Sequence, residues 1–175
     1  ENLLIKSGFQ FSEIQKNLFF LQSYKSDGVI EEKDIVEAIP KTLQDNIFDL
    51  TQFILGKKID QARDLVRDLT LQGEDEIKLI AVMLGQFRTF TQVKILSETG
   101  QTESQIASSL GTYLGRNPNP YQIKFALRDS RGISLAFLKR AISYLIETDY
   151  QIKTGVYEKS YLFEKALLQI ATEAN

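Results

Sequence analysis

From Ile77 onward one helical stretch carries apolar residues on more than one face. Ile77, Ile80, Ala81 and Leu84 line one side, while Leu79, Met83, Phe87 and Phe90 line another. A helix that is apolar around most of its circumference needs cover from several neighbours. The stretch therefore predicts a buried central helix, running to about Glu98, inside a layer of other helices. Glu74, Asp75 and Glu76 stand at its start. Three acids together can hold Mg²⁺, but the positive end of a helix dipole also favours carboxylates, and that reading is preferred. Gly85 costs roughly 1 kcal/mol relative to alanine in a helix interior, which predicts that another helix crosses closely there.

The remaining segments read as helices as well. Ser12 and Gln15 form an S-x-x-Q capping box before the stripe Ile14, Leu18 and Leu21, with Phe19 and Phe20 widening the apolar surface enough for packing on two sides. A short helix over about 31–38 should bury Ile35, Val36 and Ile39, and Pro40 ends it. Residues 1–40 thus form a small helical unit, with a hinge at 41–44. Asp45 or Asn46 caps a helix bearing Ile47, Phe48, Leu50, Phe53 and Ile54, closed by Gly56 in the left-handed region. Asp60 caps the next, with Ala62, Leu65, Val66 and Leu69, and Gly73 stops it. Thr102 and Gln105 give a second capping box for a helix through Ile106, Ala107 and Leu110. A loop with Gly111, Gly115, Asn117, Pro118 and Asn119 follows. Pro120 suits the first position of a helix over 121–131. Ser134 caps a long helix with Leu138, Ala141, Ile142, Leu145, Asp149 and Ile152 on one side, ending at Gly155. The last helix, about 160–174, carries Phe163, Ala166, Leu167 and Ile170. No segment alternates convincingly with the period of a strand. The fold class is all-α, with a small unit at 1–40 and a larger helical domain at 45–175.

The chain has no cysteine and no histidine. Thiolate nucleophiles, cysteine-ligated metals and the usual general base are therefore missing from it. Gly56-Lys57-Lys58 lacks the upstream glycine and the hydroxyl residue of a phosphate-binding loop, and the 111–115 segment lacks the Lys-Ser/Thr pair. No catalytic constellation, metal site or cofactor follows from these residues. The net charge of −2 argues against nonspecific nucleic-acid binding. Charge is nevertheless uneven: residues 27–45 carry a net −4 and residues 116–140 a net +5, a polarity that can steer a partner, though two unrelated solvated faces are the preferred reading. No apolar run approaches the roughly 20 residues of a membrane span. Without targeting signals or cysteine, a cytoplasmic location is expected. The first residue, Glu1, falls within a helical region, so a fragment of a longer protein is expected.

Two polar constellations invite functional readings. Helices at 102–110 and 121–131 resemble a helix-turn-helix, with Lys124, Arg128 and Arg131 as candidate DNA contacts beside Gln122. The loop between them, about nine residues, exceeds the 3–4 of that motif. A nucleic-acid-binding regulator is thus the alternative function. Asp149 lies on the apolar side of its helix with Lys153 at i+4, the favourable order for an acid–base pair. A structural polar pair is preferred there over a catalytic carboxylate.

Several blocks, in order, resemble one family, the delta subunit of the bacterial DNA polymerase III clamp loader. They are Asp45-Asn46-Ile47-Phe48-Asp49-Leu50, then Gly73-Glu74-Asp75-Glu76-Ile77-Lys78-Leu79 with Gln86-Phe87-Arg88. Asn119-Pro120-Tyr121-Gln122-Ile123-Lys124 and Thr148-Asp149-Tyr150-Gln151-Ile152-Lys153-Thr154-Gly155 complete the set. Members often carry histidine where Asn119 stands, and many have a shorter loop at 111–118. The resemblance implies that 1–40 is most of a helical lid-type domain and 45–175 a collar domain that joins other loader subunits. It implies contact with the sliding clamp only through an N-terminal domain outside this chain, and with DNA only indirectly. It also implies a subunit that is neither the ATPase nor the polymerase. A collar must keep apolar surface for its neighbours. On the last helix Tyr161, Leu162, Phe163, Leu167, Leu168 and Ile170 cover more circumference than a core stripe needs. Tyr161, Leu162 and Leu168 are the candidate partner residues.

Overall fold

Ten helices and no strand occur among the residues described by the computed structural model, which are 2–7, 11–25, 27–115 and 120–174. They fall into two compact units, Glu1–Leu43 and Gln44–Asn175.

The first unit holds α1 (Asn2–Lys6), α2 (Phe11–Tyr24) and α3 (Glu32–Ala38). Helix α2 already begins at Phe11, so Ser12 lies inside its first turn and does not cap it. Leu21 is buried, but Leu18, Phe19 and Phe20 are exposed. The apolar width of α2 therefore exceeds what this unit covers. Asp34 is the polar centre: its carboxylate accepts from the Glu31 backbone N–H at 2.7 Å and from Lys25 Nζ at 2.6 Å. Ile39 is buried as expected, whereas Val36 is exposed, because a helix of seven residues presents only one turn inward. Lys6 Nζ donates to the carbonyls of Val36 at 3.2 Å and Ile39 at 2.5 Å, where the end of α3 leaves acceptors free.

The second unit is built around α6 (Glu76–Glu98). Leu79, Ile80, Met83, Phe87, Phe90 and Val93 of α6 are buried, and the rings of Phe87 and Phe90 meet edge-on at 6.2 Å. Each such side chain contributes about 1.5–3 kcal/mol on burial. Helices α7 (Glu103–Leu114), α8 (Pro120–Asp129), α9 (Leu135–Lys153) and α10 (Lys159–Glu173) pack against α6. Helix α5 (Ile59–Leu71) packs on α10, and α4 (Leu43–Leu55) buries Ile47, Leu50, Thr51 and Ile54. Burial of α6 is not complete, contrary to its all-round pattern. Ala81 and Gly85 are exposed, and a Cβ added at Gly85 would meet nothing within 4 Å. Among the described residues of this unit, no close helix crossing occurs at Gly85.

Three helix starts follow the sequence reading. Asp75 Oδ1 accepts from the Ile77 N–H at 2.8 Å, Thr102 and Gln105 form the reciprocal box, and Ser134 Oγ accepts from the Phe137 N–H at 3.1 Å. Others do not. Helix α4 starts at Leu43 and α5 at Ile59, so Asp45 and Asp60 sit inside first turns and not at the N-cap positions. At the end of α4 the left-handed residue is Lys57 (φ 57°), not Gly56. The Lys58 N–H reaches the Phe53 carbonyl at 2.8 Å and the Lys57 N–H reaches that of Ile54 at 3.0 Å, which makes Lys57 the residue just beyond the cap. Helix α7 runs through Gly111 to Leu114 and closes on Gly115 at φ 66°. The expected loop residues Arg116, Asn117, Pro118 and Asn119 lie outside the described residues. Between α4 and α6, Thr51 Oγ1 lies 2.9 Å from both the Ile47 carbonyl and Gln86 Oε1. One hydroxyl hydrogen serves one acceptor, so the Gln86 amide is best satisfied turned to donate to Thr51.

Candidate assembly surface

The acidic trio opening α6 is engaged in ion pairs, two of its members with α10. Glu74 pairs with Lys78 at 2.7 Å. Lys159, at the first turn of α10, pairs with Asp75 and lies 3.4 Å from Glu76. The Lys159 ammonium, and then the Ile77 N–H, hold the Asp75 carboxyl below its ordinary range, and Asp75 in turn raises Lys159. Among the described residues no cluster of three acidic groups is arranged to bind a metal ion.

Lys153 Nζ meets Asp149 Oδ2 at 2.6 Å. Asp149 retains 28% of its side-chain accessibility and Lys153 57%, so this is a surface ion pair along α9, not a buried one.

On α8, Ile123 and Ala126 are buried, as befits a packed element. Lys124 and Arg131 are exposed. The Arg128 guanidinium is engaged within its own helix: Nε lies 2.7 Å from Asp129 Oδ1, and the group sits 5.0 Å from the Phe125 ring centre. Asp129 raises the pKa of Arg128 further. Phe125 in turn packs against Phe48 at 5.8 Å. The segment separating α7 from α8, residues 115–119, is shorter than the sequence suggests, because α7 continues through Gly111.

Helix α10 divides its apolar residues between two faces. Leu162, Phe163, Ala166, Leu167, Ile170 and Ala171 are buried. Leu162 is only 2% exposed and belongs to this core, so it is not available to a partner. Tyr161, 57% exposed, and Leu168, 39% exposed, lie on the opposite side. At about 100° per residue, positions 161, 165, 168 and 172 fall within roughly 60° of one another, facing away from Phe163. An open concavity of about 680 Å³ covers this side, lined by α10 together with Arg63 of α5 and Tyr144 of α9.

Ion pairs flank it. Arg63 pairs with Glu164, while Arg140 and the Tyr144 hydroxyl both reach Glu173. Tyr144, then Arg140, hold the Glu173 carboxyl below its usual range, and Glu173 pushes the Tyr144 phenol up. At the start of α10 the ring of Tyr157 stands edge-on to that of Tyr161 at 5.9 Å, and Tyr157 is itself exposed. Tyr157 precedes the helix, where periodicity says nothing about its direction. Arg63, Tyr144, Glu164 and Glu173 meet across sequence separations of 29 to 101 residues, with no local pattern to reveal them.

Fold and surface together define an all-helical domain, with helix ends secured by caps and ion pairs and a last helix whose inner face completes the core while Tyr161 and Leu168 stay exposed on its outer side. Comparison with known proteins narrows this. The sequence model of the DNA polymerase III delta subunit, C-terminal domain, matches residues 44–170. DNA polymerase III subunit delta of Bacillus subtilis is 33% identical over 160 residues, which is 91% of this chain and 44% of that protein. The solved Bacillus subtilis DNA clamp loader delta protein superposes with a TM-score of 0.85 at 30% identity, over 98% of this chain and 49% of that one. The chain belongs to the DNA polymerase III delta subunit family and spans about half the length of the relatives it matches. Membership gives no support to the alternative of a helix-turn-helix regulator at 102–131.

Proposed function

We propose that this chain is the assembly part of a clamp-loader delta subunit, a non-catalytic piece that places its subunit among the other loader subunits. Residues 1–40 serve as the lid-type unit and 45–175 as the collar. The sliding clamp is engaged by a domain outside this chain, and DNA is reached only through the assembled loader, in the cytoplasm. The observation that carries this reading is the outer face of α10, where Tyr161 and Leu168 stay exposed although the inner face already completes the core. Interfaces concentrate aromatic and aliphatic anchors of this kind. Asp149 and Lys153 keep a structural role as an intrahelical pair on α9. The mechanism is geometric: a rigid helical body fixes the order of its neighbours, so that work done by the loader's ATPase subunits reaches the clamp.

Co-expression with the remaining loader subunits tests this. Tyr161→Glu and Leu168→Glu should each reduce co-purification while the far-ultraviolet spectrum stays helical. Unchanged complex formation by both variants would place the interface elsewhere.

A further inference from the structure

Tyr161, Lys165, Leu168 and Thr172 succeed one another at spacings of four, three and four residues along the exposed side of α10. This is the spacing of a helix–helix seam, in which each side chain fits between residues of a facing helix. Helices α5 and α9 both pack on α10, so the seam has a helix on each side. The charges on these flanks are already matched within the chain, Arg63 by Glu164 and Arg140 by Glu173. Lys165 stands in the middle of the seam, exposed, and forms no ion pair with any described residue. An apolar helix of a partner would leave that ammonium desolvated and unmatched, at a cost. A helix with a carboxylate at this level would match it and fix the register, as single polar positions do in coiled coils.

We propose that the occupant of this seam is an amphipathic helix of another loader subunit. It lies along α10 with apolar side chains one heptad apart on Tyr161 and Leu168 and an Asp or Glu between them on Lys165. Seven residues span about 10.5 Å of helix, which sets the distance between the two apolar contacts. The inference rests on the assembly reading above and specifies the chemistry of its partner.

The test is a binding series with the chain co-expressed with the remaining loader subunits, read as dissociation constants at two salt concentrations. Lys165→Glu should weaken the complex on the order of tenfold at low salt, Lys165→Arg should retain it, and Lys165→Gln should flatten its salt dependence. Lys124→Glu, on α8, controls for the general effect of reversing one charge. All these side chains are exposed, and thermal melting verifies that each variant folds. If Leu168→Glu abolishes binding but Lys165→Glu binds as wild type does, the seam stands and the acidic partner is refuted. If neither substitution matters while the wild type assembles, α10 is not the contact and the assembly reading survives without this inference. If the wild type does not assemble, both fail. Self-association of the chain alone, lost in Leu168→Glu, would assign the seam to a second copy and overturn the proposal.

Discussion

Gly85 offers a direct test of how the central helix is covered. It lies within the 23 residues of α6, where glycine costs about 1 kcal/mol relative to alanine because its backbone loses more freedom on folding. The sequence suggests a reason to tolerate that cost, a helix crossing too close for a Cβ. The structure removes the reason, since an added Cβ meets nothing within 4 Å. Gly85→Ala should therefore stabilise the larger unit by about 1 kcal/mol, or raise its melting temperature by roughly 3 °C. Gly85→Leu is the discriminating partner: leucine is nearly as good a helix former, so on an open face it should be tolerated too. At a close crossing it would instead cost about 1–3 kcal/mol in overpacking. Urea denaturation followed by circular dichroism reads both variants. Destabilisation by leucine, or no gain from alanine, would refute an open face at Gly85.

Three other substitutions probe the polar framework. Thr51→Val removes a fully buried hydroxyl and leaves the Gln86 amide without it, at a cost of about 1–3 kcal/mol by denaturant melting, and Thr51→Ser should restore most of the loss. Asp149→Ala should cost less than about 1 kcal/mol, close to Glu147→Ala in a parallel melt, because its pair with Lys153 is exposed to solvent. Asp75 has a folded pKa below its unfolded value of about 3.9. Its ion pair thus stabilises fully above about pH 4, and that contribution disappears as pH falls through the lower folded pKa. Asp75→Asn keeps a capping side chain but not the charge, so its deficit against wild type in an acid-denaturation series should narrow below about pH 4 and persist at neutral pH.

What was legible in the sequence was local. Thr102 with Gln105, and Ser134 before its apolar run, specify helix starts through hydrogen bonds that span two or three residues, and both appear in the structure. The inner stripe of α10, Phe163, Ala166, Leu167 and Ile170, was readable for the same reason, because a period near 3.6 fixes a face. The sequence is a poorer guide where the displacement of one residue matters. Leu162 and Leu168 are equally apolar, yet Leu162 borders the stripe of Phe163 and Ala166 and turns to the core, while Leu168 faces away from that stripe and stays exposed. Lys57 took the left-handed position that its glycine neighbour would fill with less strain, because the hydrogen bonds closing α4 fall one residue later. The ion pairs of Arg63, Arg140 and Lys159 were invisible altogether, since each bridges helices far apart in sequence.

In the proposed assembly these long-range pairs would matter more than their small energies suggest. A solvent-exposed ion pair stabilises a fold by about 0–1 kcal/mol, and each flanking arginine retains more than half of its side-chain accessibility. Their value lies in position. Arg63 ties α5 to α10 and Arg140 ties α9 to α10, on the flanks of the face carrying Tyr161 and Leu168. Lys159 ties the start of α10 to the start of the central helix. The exposed face is thereby fastened to three other helices by groups whose charges are spent inside the chain. A surface held in this manner is already ordered before any partner arrives, so little conformational entropy is lost on docking. In the proposed assembly, recognition then falls to the groups left over, Tyr161, Leu168 and Lys165.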